Sequence, residues 1–128
     1  MKEHNTILYI SGRANPSNAV LAALKETGCE VVSTSSPTEG LALLYIMHSV
    51  AAVVLDNRAR EQASFDVAQS LWAIGPGVPI VLLCRDQIGR LPSCVDDCVG
   101  TGQPLENLTS EVQSLLTAKG NPAHSEQY

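Results

Sequence analysis

Short runs of apolar residues alternate along the chain with segments in which apolar residues recur every three or four positions. The runs are rich in Val, Ile and Leu, and most are continuous rather than interrupted by polar residues. Continuous apolar runs are typical of parallel strands that are covered on both faces of a sheet. The predicted strands are Thr6 to Ser11, Glu30 to Ser33, Ala51 to Asp56, Pro79 to Cys84, and a weaker one from Asp97 to Val99.

Two helices are predicted between the first three strands. The first is expected to begin at Asn15–Pro16, because Asn caps helices and Pro suits their first position, and to end at Gly28. The second begins with the capping-box spacing from Ser36 to Glu39 and ends near His48. The positions expected to face the core are Val20, Leu21 and Leu24 in the first helix, and Leu41, Leu44 and Tyr45 in the second.

Two further helices follow the third and fifth strands. The third helix is predicted to begin near Ser64 and to stop at Gly75, and the fourth follows Pro104. Their predicted inward positions are Phe65, Ala68, Leu71 and Trp72 in the third helix, and Leu105, Leu108, Val112 and Leu115 in the fourth.

The alternation of strands and helices predicts an α/β fold, a flavodoxin-like doubly wound parallel sheet of five strands in the order 2-1-3-4-5. The segment from Arg85 to Asp96 contains a Gly and a Pro, so the fourth crossover is expected to be shortened to at most one helical turn. We place one domain at residues 6–118. Residues 119–128 show no periodic pattern and are expected to form a disordered tail.

Composition narrows the classes of protein. Apolar residues make up 45% of the chain and charged residues 16%, which is typical of a globular domain and excludes wholesale disorder. Thirteen acidic against 8 basic residues give a net charge of −5, which argues against nucleic acid as a partner. There is no apolar run of about 18 residues and no secretion signal at the start, so we expect a cytoplasmic protein without a membrane partner.

Ligand sites in doubly wound sheets lie at the carboxyl ends of the strands. Asp56 closes the predicted third strand at that edge, where a carboxylate can serve as a nucleophile, a metal ligand or the anchor of a hydrogen-bond network. The alternative is an aspartate that only caps the following loop. The other residues of this predicted pocket are Ser11, Gly12, Arg13, Arg58, Cys84, Arg85 and Thr101.

The chain resembles the receiver domain of two-component response regulators from residue 6 to about residue 117. The segment ILYISGRANPSNAVLAALKETGCEVV is similar to the first strand, helix and second strand of that family, and AAVVLDNRA to the third strand with its phospho-accepting aspartate. VPIVLLC is similar to the fourth strand, and VGTGQP to the loop after the fifth. The resemblance therefore implies that Asp56 is the candidate phospho-acceptor.

The departures from the family pattern affect the chemistry of the pocket. Where the family has two adjacent acidic residues that help to bind Mg²⁺, this chain has Ser11 and Gly12, and Thr101 aligns with the family's lysine. Cys84 aligns with its switch Ser or Thr, and Cys98 with its switch aromatic residue. Since Mg²⁺ generally requires one or two carboxylates, we expect its binding to be weak or absent and name no metal ligand or other cofactor.

Arginines gather at the same predicted edge. Arg13, Arg58, Arg60 and Arg85 are half of the 8 basic residues, and Arg90 is close to them in sequence. We hypothesise that one guanidinium, from Arg13 or Arg85, occupies the vacated metal position and pairs with Asp56. The alternatives are that these arginines point into solvent or that they bind an anionic ligand.

Three classes of function remain open. The first is a stand-alone receiver-like signalling protein, not an enzyme, that acts by binding a histidine kinase, an output protein or a second copy of itself, with phosphorylation of Asp56 weakened or lost. The second is a regulator that is still phosphorylated on Asp56. The third is a small flavodoxin-like protein that binds an anion or a nucleotide. Exposure of Leu91 or Val95 in the fourth crossover would favour an interface there.

The cysteines add one more open question. Cys84 and Cys98 are expected on neighbouring strands, where reduced core thiols are the favoured interpretation and a reversible disulfide is the alternative.

Overall fold

A computed structural model describes residues 6–11, 17–56, 61–84, 93–100 and 104–119 of the chain. Strands and helices alternate up to the fourth strand, as the apolar pattern predicts. The elements are β1 (Thr6–Ile10), α1 (Asn18–Lys25), β2 (Glu30–Thr34), α2 (Pro37–Ile46), β3 (Val50–Asp56), α3 (Glu61–Ile74), β4 (Ile80–Cys84), β5 (Asp97–Gly100) and α4 (Leu105–Lys119).

All strands are parallel, and the sheet has five strands in the order β2-β1-β3-β4-β5. This confirms the predicted α/β class and strand order. The register pairs Asp56 with Leu83 of β4, so the end of β3 lies beside the end of β4. Central β1, β3 and β4 are almost wholly buried, as expected for strands covered on both faces.

The core has one layer on each face of the sheet. On one face, side chains of β1, β3 and β4 pack with α2 and α3; on the other, they pack with α1 and α4. The first layer includes Leu8, Val53, Leu82, Leu44 and Leu71, and the second includes Ile7, Val54, Val81, Leu24 and Leu108.

Two predicted inward aromatic residues are exposed. Tyr45 is 74% and Trp72 48% exposed. The buried side of α2 is centred on Gly40 and Leu44, and Tyr45 lies one residue, about 100°, further round the helix. The sequence pattern identified the buried side of α2 correctly but made it one residue too wide, because it included Tyr45. Leu105, at the start of α4, is also exposed at 37%.

The helix starts differ from the prediction in two places. The cap of α1 is Ser17, whose hydroxyl accepts a hydrogen bond from the Val20 amide at 3.3 Å, and the predicted start at Asn15–Pro16 lies outside the described residues. α3 begins at Glu61, before the predicted start near Ser64. The predicted cap of α2 is confirmed, because the Glu39 amide donates to Ser36 Oγ at 3.2 Å.

The start of β5 is attached to β4 through Asp96. The Ile80 amide donates to Asp96 Oδ2 and the Asp96 amide donates to the Ile80 carbonyl, both at 2.8 Å. The predicted shortening of the fourth crossover falls mainly on residues 85–92. These residues, which include Leu91, lie outside the described part of the chain. Val95 is buried in the core and so does not provide the exposed apolar surface that we considered.

The predicted tail lies outside the described residues from position 120 onward. Among the helices that the structure describes, none has the length and apolar character needed to cross a bilayer.

Candidate functional site

Asp56 is a buried carboxylate at the carboxyl edge of the sheet. It is the last residue of β3 and only 7% of its surface is exposed. A carboxylate taken out of water requires hydrogen-bond donors, since an unsatisfied buried charge is costly. The carboxylate of Asp56, at the position predicted from the sequence, must therefore be held by hydrogen-bond donors of the surrounding structure.

Tyr9 supplies one of those donors. Its ring is fully buried in β1, and its hydroxyl donates to Asp56 Oδ2 at 3.2 Å. The register pairs Tyr9 with Val54, two residues before Asp56, so both side chains lie on the face covered by α1 and α4. Sequence reasoning missed Tyr9. The available signal was a phenol within an otherwise aliphatic strand on the central part of the sheet.

Ser11 follows β1 at the same edge and is bound to the end of β2. It is 2% exposed, its amide donates to the Thr34 carbonyl at 2.9 Å, and its hydroxyl lies 3.4 Å from the same oxygen. The Thr34 hydroxyl in turn donates to Glu39 and accepts from the Ser36 amide. These bonds fix the ends of β1 and β2 to the start of α2 without any carboxylate on β1.

Only some of the predicted site residues fall within the described part of the chain. Asp56, Ser11 and Cys84 do, and all three lie at the carboxyl ends of their strands. The remaining predicted pocket residues lie outside the described residues, so their contacts stay predictions: Gly12, Arg13, Arg58, Arg85 and Thr101.

The interpretation of Cys84 and Cys98 as separate reduced thiols is wrong. The structure joins them in a disulfide across β4 and β5, with their Cα atoms 6.7 Å apart. The register explains the pairing: Cys98 lies opposite Leu82, so the two cysteines differ by two positions and project from the same face of the sheet. Cys29 and Cys94 are not disulfide-bonded.

The described oxygen donors at this edge make a poor match to Mg²⁺. Mg²⁺ takes octahedral oxygen ligands, generally including one or two carboxylates. Asp56 shares one carboxylate oxygen with the Tyr9 hydroxyl, and Ser11 brings only a neutral hydroxyl directed toward the Thr34 carbonyl. Within the described residues, no three His, Cys, Asp or Glu side chains are grouped so that they could hold a metal ion.

A separate cavity of about 670 Å³ lies at the opposite, amino-terminal edge of the sheet. Leu44, Met47, Val50 and Val78 are among the described residues that line it, and none of the described lining residues is a carboxylate, Lys or Arg. The described lining of this cavity therefore differs from the edge that holds the buried carboxylate of Asp56.

Solved structures with the same architecture cover almost the whole chain. A CheY-like response regulator receiver domain protein from Methanospirillum hungatei has a TM-score of 0.77 at 14% identity, covering 91% of this chain and 97% of its own. The fold is that of response regulator receiver domains. Similar matches are a receiver domain protein from Clostridium thermocellum (TM-score 0.74, 20% identity, 90% and 96% covered) and a receiver protein from Sinorhizobium medicae (0.73, 23%, 91% and 98%).

Sequence comparison adds nothing to this likeness, since no family model and no curated protein matches the chain. The three structural matches named here are each below 25% identity and establish the fold alone. Function must therefore be argued from the residues around Asp56.

Proposed function

We propose that this chain is a receiver-like signalling module of the two-component type, not an enzyme, and that it acts through contact with another protein. Metal-dependent phosphorylation of Asp56 is weakened or lost in it. The receiver fold supports the first part. The second part is carried by one observation: the buried carboxylate of Asp56 is held by the Tyr9 phenol, beside a β1 terminus that offers Ser11 rather than an acid.

The physical reason lies in how phosphoryl groups are transferred. Catalysis depends mainly on positioning the phosphoryl group and on neutralising the charge of its oxygens, usually by a divalent cation and a basic side chain. Ser11 and Gly12 provide no acidic ligand for such a cation, and Thr101 provides no positive charge. Asp56 without these groups is a poor acceptor.

We propose that a guanidinium takes the place of the cation. Arg13 follows β1 and Arg85 follows β4 directly, so the sequence brings both to the edge where Asp56 ends β3. A charge-assisted pair between one of them and Asp56 would hold the edge in one conformation without a metal.

Calorimetric titration with Mg²⁺ tests whether the edge around Asp56 has lost its metal site. The unmodified chain is expected to show no saturable heat, whereas a double variant, Ser11→Asp with Gly12→Asp, restores the missing acids and is expected to gain Mg²⁺ binding. Asp56→Asn in that double variant is the matched control and should remove the gained binding. Saturable Mg²⁺ binding by the unmodified chain, abolished by Asp56→Asn alone, would contradict the proposal.

A second candidate function is a regulator that is still phosphorylated on Asp56. The observation in its favour is that Asp56 keeps its place at the end of β3, beside the carboxyl end of β4. This candidate predicts that a small phosphoryl donor with Mg²⁺ modifies Asp56. The favoured proposal predicts that the mass of the unmodified chain does not change under these conditions, and that Asp56→Asn keeps the fold.

The partner that we propose is a histidine kinase, an output protein or a second copy of the chain. The surface proposed for it combines α4 with the segment between β4 and β5. Because Val95 belongs to the core, this surface must depend on other residues of that segment and on the outer side of α4.

A further inference from the structure

The disulfide between Cys84 and Cys98 connects the last two strands of the sheet. Cys84 is the final residue of β4, and Cys98 is the second residue of β5. Their sequence separation is 14, and their Cα atoms are 6.7 Å apart, within the range that disulfides span. The bond therefore closes the β4–β5 connection covalently at the carboxyl edge.

This link matters because β5 is the short outer strand of the sheet. It has 4 residues and pairs only with β4 in the described sheet. Short edge strands have few hydrogen bonds and belong to the parts of a protein that open most easily. A covalent bond from Cys98 to the sheet restrains such opening, and its loss leaves β5 held by its ladder, by the Asp96 bonds and by packing.

The two sulfurs differ in access. Cys84 is fully buried, whereas Cys98 is only partly buried at the side of the core. Thiol–disulfide exchange requires direct approach of a thiolate to one sulfur of the bond. Incoming thiols therefore reach the sulfur of Cys98 first, and Cys84 is the sulfur that leaves.

We propose that Cys84 and Cys98 form a thiol–disulfide switch, opened by low-molecular-weight thiols of the glutathione class and closed by the corresponding disulfides. In opening, a glutathione thiolate attacks Cys98 Sγ, giving a Cys98–glutathione mixed disulfide and releasing Cys84 as a thiolate, which takes up a proton. A second glutathione thiolate then attacks the mixed disulfide and frees Cys98. The products are two protein thiols and one oxidised glutathione, so two electrons pass from glutathione to the protein.

The switch acts next to the candidate site. Cys84 follows Leu83, which is the register partner of Asp56, so the covalent bond fixes β4 one residue beyond the level of the carboxylate. Opening the bond loosens β5 and the end of β4. Both strands lead directly into the segments that follow them in sequence, residues 85–92 after β4 and residues 101–103 after β5. The switch operates whether or not Asp56 accepts a phosphoryl group.

Alkylation in glutathione buffers tests the switch. The full chain is equilibrated at graded ratios of reduced to oxidised glutathione and quenched with acid. It is then denatured and alkylated with N-ethylmaleimide, and its intact mass is measured by mass spectrometry. With 4 cysteines in the chain, two maleimides are expected at the oxidising end and four at the reducing end. Peptide mapping of the oxidised form should join Cys84 to Cys98. Four maleimides at every ratio, two at every ratio, or a bond to Cys94 would each overturn the proposal.

Two variants and a second measurement complete the test. Cys29→Ser leaves the pair intact and should retain the transition, whereas Cys98→Ser should lose it. Amide hydrogen exchange in β5 is expected to become about tenfold faster on reduction of the unmodified chain and of Cys29→Ser, and to be insensitive to redox state in Cys98→Ser. Equal exchange in β5 of the oxidised and reduced chains would show that the bond does not control the strand.

Discussion

Removal of the Tyr9 hydroxyl tests how strongly the fold holds Asp56. In Tyr9→Phe the ring keeps its packing, because Tyr9 is fully buried and only one oxygen is lost. The lost bond joins a phenol to a carboxylate at 3.2 Å, a long distance for an O–H donor. Hydrogen bonds to charged groups contribute about 1.5–3 kcal/mol, and the long distance puts this one at or below the lower end. Since the buried phenol also loses water on folding, we expect Tyr9→Phe to be destabilised by about 1 kcal/mol.

The assay is urea unfolding followed by circular dichroism, with a double-mutant cycle. The four proteins are the unmodified chain, Tyr9→Phe, Asp56→Asn and the double variant. We expect a coupling free energy of about 0.5–1.5 kcal/mol between the two positions, because each substitution alters the same bond. Tyr45→Phe is the matched control: Tyr45 is 74% exposed, so loss of its hydroxyl should change the unfolding free energy by less than about 0.5 kcal/mol.

Additive effects in the cycle would show that the Tyr9 hydroxyl and the Asp56 carboxylate do not stabilise each other. If the double variant were destabilised by the sum of the two single variants within about 0.3 kcal/mol, the Tyr9 hydroxyl would not contribute to holding Asp56. A change in the slope of the urea transition would instead indicate that the substitution altered the compactness of the folded or unfolded state.

Three further predictions concern pH dependence, packing and hydrogen bonding. The pKa of Glu111 is raised to about 7 by its hydrogen bond to Asp97, by burial and by the charge of Asp97. The contribution of Glu111 to stability is therefore fully present below about pH 4.5 and is lost as the pH rises through 7. After allowance for solvent screening, this contribution is about 1 kcal/mol. Glu111→Gln should therefore flatten the pH dependence of thermal unfolding between pH 5 and 8. A Cβ at Gly40 would lie 2.5 Å from Ile10 Cδ1, so Gly40→Ala should lower the unfolding free energy by about 1–2 kcal/mol in spite of its better helix propensity, and an unchanged urea midpoint would contradict this. Asp96→Ala removes the acceptor for the first amide of β4 and should cost about 1–2 kcal/mol in the same assay, whereas Asp96→Asn, which keeps a carbonyl oxygen, should cost less than half of that.

The strand order and the position of Asp56 could be predicted from the sequence because both depend on local patterns. Continuous apolar runs mark strands covered on both faces, and the handedness of crossovers leaves few ways to connect them. Asp56 ends such a run, so its place at the carboxyl edge follows from the fold. The cap at Ser36 was predictable for the same reason, because capping depends on residues within one turn.

Features that depend on contacts between strands could not be predicted in this way. The bond from Tyr9 to Asp56 requires knowing that β1 and β3 are neighbours and which residues of each face α1. The Cys84–Cys98 disulfide depends on a register in which two residues diagonal to each other come within reach, and apolar surroundings in the sequence suggested thiols instead. Tyr45 was misplaced because spacing alone does not give the width of the buried stripe.

Intact mass measurement after incubation with acetyl phosphate and Mg²⁺ shows directly whether Asp56 accepts a phosphoryl group. An ordinary receiver domain run in parallel shows that the donor is active, and Asp56→Asn identifies any modification of that side chain. We predict that the mass of the unmodified chain stays the same. The gain of one phosphoryl group by the unmodified chain, absent from Asp56→Asn, would show that Asp56 is still a phospho-acceptor and that the pocket retains its metal-dependent chemistry.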